Sequence, residues 1–122
     1  MNSTDTIYDR FGRPQLILTN TGRVIDFKGK SLGFLVESAL YNYSGKHVGW
    51  YEGGIVRDLR GQVVGFGDSP HDFPHPILPI RGINPIAAIP QIERIRPIPN
   101  IPYIKPIKSF GWSTLSPHDL FN

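Results

Sequence analysis

Between residues 77 and 107, isoleucine occupies every third position. Ile77, Ile80, Ile83, Ile86, Ile89, Ile92, Ile95, Ile98, Ile101, Ile104 and Ile107 form eleven in unbroken frame. No isoleucine between 76 and 108 lies out of frame, and eight prolines in that span each sit beside one. An α-helix repeats every 3.6 residues, and its interior rejects proline. A strand alternates every two residues. A 3₁₀-helix has the right period but rarely runs past a turn or two. Polyproline II has three residues per turn and needs no internal hydrogen bonds. Proline supplies its φ. Residues 77–108 therefore read as polyproline II with a straight isoleucine stripe, rising roughly 95 Å if unbroken. Gly82 and the stretch "AAIPQIERIR" offer places to bend or fold back.

A solvated proline-rich linker has no use for such a stripe. Each isoleucine left in water forgoes roughly 1.5–3 kcal/mol. The stripe could dock on the rest of the chain, bundle with copies of itself, or enter a partner's groove. Self-association is the leading expectation, because a straight stripe suits a symmetric bundle. Arg81, Arg94, Arg96 and Lys105 would then face water.

The N-terminal half has a different grammar. "DRFG" (Asp9 to Gly12), "TNTG" (Thr19 to Gly22), "NYSG" (Asn42 to Gly45) and "DLRG" (Asp58 to Gly61) each place a polar residue three before a glycine. That is a type I turn closed by a left-handed residue. The turn glycines are thus Gly12, Gly22, Gly45 and Gly61, with shorter breaks at "FKGK" around Gly29 and "EGG" from Glu52 to Gly54. "YDRFGRPQLIL", "LYNYSGKHVGW" and "VRDLRGQVVGF" share one unit, and Val48-Gly49-Trp50 matches Val64-Gly65-Phe66. Such self-similarity means repeated hairpins around one core. "LGFLVESALY" (32–41) reads as a further strand pair, with a helical turn as the other option. Short hairpins leave edges that a small closed barrel or ring removes.

"GKHVGWYEGGIVRDLRGQVVGF" (Gly45 to Phe66), "YDRFGRP" before it and the Pro/Ile tail after it resemble the bacterial 4-fold β-flower family. The resemblance extends over most of the chain, including the closing "SFGWS". It implies a shallow barrel of antiparallel hairpins around an apolar centre. That shape resembles the Tubby-like barrel without its central helix, and the likeness implies lipid or phosphoinositide contact. It brings no catalytic residues.

The expected fold is therefore all-β: a shallow barrel or ring of antiparallel hairpins, a polyproline II tail and a short terminal helix. Residues 1–68 are the hairpin domain, 69–76 a connector, 77–108 the Pro/Ile segment and 109–122 a terminal anchor. In the last, Ser116, Pro117 and Asp119 read as N-cap, N1 and N3 of a helix. Phe110, Trp112, Leu115, Leu120 and Phe121 supply its apolar groups.

Chemistry is sparse. No cysteine is present, which removes disulfides, thiolate catalysis and Cys-type zinc sites. Asp68, His71, Asp72 and His75 form the one metal-like cluster, but prolines extend it. His71 and His75 then stand roughly 12–13 Å apart, so no metal and no cofactor are expected. No nucleophile elbow, P-loop or dinucleotide fingerprint appears, so an enzyme is not expected. Phe34, Trp50 and Phe66, with Tyr43 and Tyr51, read as core or rim; alternatively Phe34, Trp50 and Phe66 line an apolar pocket for a lipid or other ligand. The net charge of +3 resides in the tail and is too diffuse to point to nucleic acid. No apolar run reaches the ~20 residues of a membrane helix, and "MNSTDTIYDR" has no leader pattern, so a cytoplasmic protein is expected. The expected function is non-enzymatic assembly through the isoleucine stripe; the alternative is a lipid- or apolar-ligand-binding module.

Overall fold

The computed structural model describes residues 4–122. Eight strands form the barrel: β1 (Asp5–Tyr8), β2 (Pro14–Leu18), β3 (Arg23–Asp26), β4 (Ser31–Val36), β5 (Ala39–Asn42), β6 (His47–Glu52), β7 (Ile55–Asp58) and β8 (Val63–Phe66). They pair antiparallel in chain order, and Tyr8 of β1 pairs with Phe66 of β8 to close the ring. Closure leaves no open sheet edge. Residues 32–41 form the strand pair β4–β5, and the turn between them holds Glu37 at φ 56°.

The barrel is four copies of one hairpin, which we call blades: β1–β2, β3–β4, β5–β6 and β7–β8. Each blade turn opens on Asp9, Asp26, Asn42 or Asp58, spaced 17, 16 and 16 residues apart. One side-chain oxygen of each accepts two backbone N–H groups, two and four residues on. Each turn closes on a glycine with φ between 80° and 87°: Gly12, Gly29, Gly45 and Gly61. Gly22 also has positive φ, but its turn joins β2 to β3 at the other end of the barrel. The second blade turn is Asp26 to Gly29, which obeys the same polar-x-x-Gly rule. Every blade also carries a register shift of one residue, a bulge that curls the short strands into a ring.

Inside the ring, Ile7, Val24, Leu40 and Val56 supply one apolar side chain per blade, joined by Leu16, Leu18, Val48 and Val64. The chain's own C-terminus completes this core. Ser116 caps a single turn of helix, α1 (Pro117–Leu120), accepting the Asp119 N–H at 3.1 Å. Leu120 and Phe121 are buried among the inner residues. Gly33 and Gly49 leave room for them. A Cβ at Gly33 would meet the Phe121 ring at 2.5 Å, and one at Gly49 would meet Leu120 at 3.3 Å. The centre implied to lack a helix therefore holds one helical turn. The cavity beside it is about 10 Å³, room for one water at most. Of the other anchor residues, Trp112 packs on an outer cluster, while Phe110 and Leu115 stay exposed.

Candidate functional site

Residues 77–110 do not project from the barrel. They make one circuit of it, as a belt. The amides of Gly82, Gln91, Asn100 and Ser109 donate to the carbonyls of Gly12, Gly29, Gly45 and Gly61, at 2.7, 2.8, 2.9 and 3.1 Å. The four donors are nine residues apart, and the four acceptors lie one per blade. Nine residues span each quarter, roughly 28 Å at a rise of about 3.1 Å per residue. The belt meets the blade tips through backbone, so glycine is required there twice over. It allows the left-handed turn, and it leaves space for a belt carbonyl where a side chain would start. At Gly29 that carbonyl is Ile89's, 2.5 Å from a built Cβ.

Between tips the belt rests on outward-facing residues of the blades. The Arg96 guanidinium lies 5.4 Å from the Phe34 ring centre, and the Lys105 ammonium lies 5.4 Å from that of Trp50. Nine-residue steps bring Leu78 to the corresponding place, where it packs on the cluster containing Tyr8 and Phe66. Phe34 and Trp50 share one outer cluster and Phe66 belongs to another. Those three aromatics thus support the belt from separate blades, outside the barrel. The Tyr41 hydroxyl donates to the Asn100 carbonyl at 2.8 Å. Tyr43 donates to Glu93 at 2.5 Å. Burial pushes Glu93 up, but Arg96 and Tyr43 outweigh it and hold the carboxyl below its ordinary value.

Arg57 fastens the belt where its ends meet. Its Nη1 donates to Gly61 O at 2.8 Å and to Ser109 O at 3.0 Å, at the end of the circuit. Its Nη2 donates to the Pro74 carbonyl, at the start. Asp72 stands 3.5 Å away as counter-ion.

The isoleucine side chains take no part in this docking. All eleven are 89–99% exposed. Phe110 continues their frame three residues past Ile107 and is also exposed, so the apolar row has twelve positions. The tail's cations do not form a free basic surface. Arg96 pairs with Glu93 at 2.7 Å, Lys105 with Glu52 at 2.5 Å, Lys108 with Asp72 at 2.7 Å and Arg81 with Asp68 at 3.6 Å. Arg94 lies over the Tyr43 ring at 4.6 Å.

Two other places carry polar groups. His71 and His75 each turn Nδ1 to a nearby backbone carbonyl, Ser69 and Pro76, at 3.0 and 2.7 Å. Among the described residues no group of three His, Cys, Asp or Glu is placed to hold a metal ion. At the end of the barrel away from the blade tips, a cleft of about 620 Å³ is lined by Asp5, Thr19, Glu37, Tyr51 and Asp68, among others. Burial, with Asp68 adding to it, pushes the Asp5 carboxyl up to about 6. Both Asp5 oxygens are engaged, one by the Asp68 N–H at 2.7 Å and one by the Tyr51 hydroxyl. That arrangement fixes the connector to the barrel.

Gly29, Arg57 and Phe110 are the residues that sequence reasoning left out of the site. Asp26 to Gly29 and the frame of Phe110 were readable signals; nothing marked Arg57 apart from other arginines. A family model described as 4-fold beta flower protein matches residues 5–121. No curated protein and no solved structure matches the chain.

Proposed function

The chain belongs to the 4-fold beta flower family, and from that premise we propose that it is a non-enzymatic structural or interaction protein whose isoleucine belt assembles it with copies of itself. One observation carries this reading: eleven isoleucines in a single row are 89–99% exposed on a folded chain. Burying them would release on the order of 15–30 kcal/mol before association costs. Typical folding stabilities are about 5–15 kcal/mol, so a surface this apolar is unsuited to permanent exposure.

A second copy is the favoured occupant for two reasons. Two rows of the same structure share one repeat, about 9 Å per isoleucine, so side chains of one can sit between those of the other where the rows meet. The cations beside the row are mostly paired with carboxylates of the same chain, so two copies meet without strong repulsion. The same pairing weakens the case for an anionic lipid surface, and the filled lumen weakens the case for a ligand inside the barrel.

Sedimentation of the purified chain tests this, beside a variant carrying Ile95→Asp and Ile98→Asp. The wild type should be an oligomer, and the variant should form smaller species than the wild type with unchanged circular dichroism. A wild-type monomer at tens of micromolar would overturn the reading. If that monomer co-sediments with anionic vesicles, the lipid reading replaces it.

A further inference from the structure

We infer that each chain offers four separate, quasi-equivalent docking faces, one per blade, so that a single copy can engage up to four others. This rests on the self-assembly reading and adds its valency. Twelve in-frame positions and four blades divide into triplets: Ile77, Ile80 and Ile83; Ile86, Ile89 and Ile92; Ile95, Ile98 and Ile101; Ile104, Ile107 and Phe110. In every triplet the central isoleucine (80, 89, 98 or 107) is the residue whose carbonyl lies against the blade-tip glycine. Two residues on, a belt amide bonds the same glycine.

The four central isoleucines therefore occupy equivalent positions on successive blades, and all are 89–94% exposed. The belt between them must turn to follow a closed ring. One triplet is short, roughly 19 Å from first to last isoleucine. A rigid neighbour lying along one triplet cannot also follow the belt around to the next. The row that is continuous in sequence is thus divided in space, and its occupant is a triplet of another copy, with the same side chains at the same spacing.

The test neutralises triplets by number in the full chain, using Ile→Asn (and Phe110→Asn) because these side chains support nothing within the fold. Mass photometry and sedimentation read the species formed. Loss of one triplet should leave assemblies larger than a dimer. Loss of any three should leave nothing above a dimer. Loss of all four should leave monomers with wild-type circular dichroism. Monomers after loss of a single triplet would overturn the inference, since the row would then act as one surface. A wild type that stops at a dimer would overturn it too, while leaving self-association standing. A wild-type monomer would remove both.

Discussion

The carbonyl oxygen of Ile98 stands 2.9 Å from the point where a side chain on Gly45 would begin. Nothing but hydrogen fits between belt and blade at that tip. Gly45→Ala should therefore be destabilising twice: about 1–2 kcal/mol for the left-handed backbone at φ 81°, and a further cost for lifting the belt. Gly22→Ala is the control. It has φ 83°, yet its neighbour is Leu35 and not the belt. Hydrogen exchange should find the Asn100 amide deprotected in the first variant and unchanged in the second. Equal protection of Asn100 in both would show that the contact does not hold the belt.

Arg57 joins both ends of the circuit, so its loss should open the belt at its seam. Arg57→Met keeps the buried bulk but removes three hydrogen bonds and leaves Asp72 with Lys108 as its partner. The expected cost is about 3–5 kcal/mol, from losing three hydrogen bonds of a charged donor. The melting temperature should fall by roughly 10 °C or more, and protease should cut near Pro74 and Ser109. A variant that melts with the wild type would exclude this role.

His47 ties the belt to the third blade in a way that acid should undo. The Tyr103 N–H donates to its Nδ1 at 3.0 Å, which leaves the Nε2 hydrogen for the Gly49 carbonyl at 2.8 Å. The Tyr103 contact needs the neutral ring, because a protonated Nδ1 cannot accept, and burial holds the pKa below the ordinary 6.5. The unfolded chain then takes up the proton first. This contribution to stability is present above pH 6.5 and is lost as pH falls through the lower folded value. Asp5 works in the opposite sense: its folded value of about 6 exceeds the reference 3.8, so its contribution is present below 3.8 and is lost as pH rises through about 6. Overall stability mixes the two, and the local readout is the Tyr103 amide. Its protection, corrected for intrinsic exchange, should fall as pH drops through the lower folded value of His47, while that of Gln91, bonded to a backbone carbonyl, persists. Parallel behaviour of the two amides would rule out His47 as the cause.

The turns and the stripe were legible in the sequence because each rests on local chemistry. Asp or Asn three residues before glycine favours a turn through its own side chain, and a row of isoleucines at every third place is visible without any fold. The circuit was not legible. Gly82, Gln91, Asn100 and Ser109 share a role but no side-chain character, because backbone amides do the bonding. The stripe itself did not show how the segment is held. Docking of the isoleucines on the barrel was one of three options it left open, whereas the barrel holds the positions between them. Arg57 was hidden for a similar reason. It takes the place that Tyr8 and Tyr41 hold in other blades, and only the meeting of two belt ends gives an arginine work there.

The nine-residue step has a consequence for how this chain can change. One residue inserted into the belt rotates every later isoleucine off the row. Three inserted residues restore the row yet displace every later amide from its blade tip. Only nine, accompanied by another sixteen-residue hairpin, would satisfy both. The segment therefore serves as a ruler cut to the perimeter it encloses, and length is under as strict a constraint as any side chain.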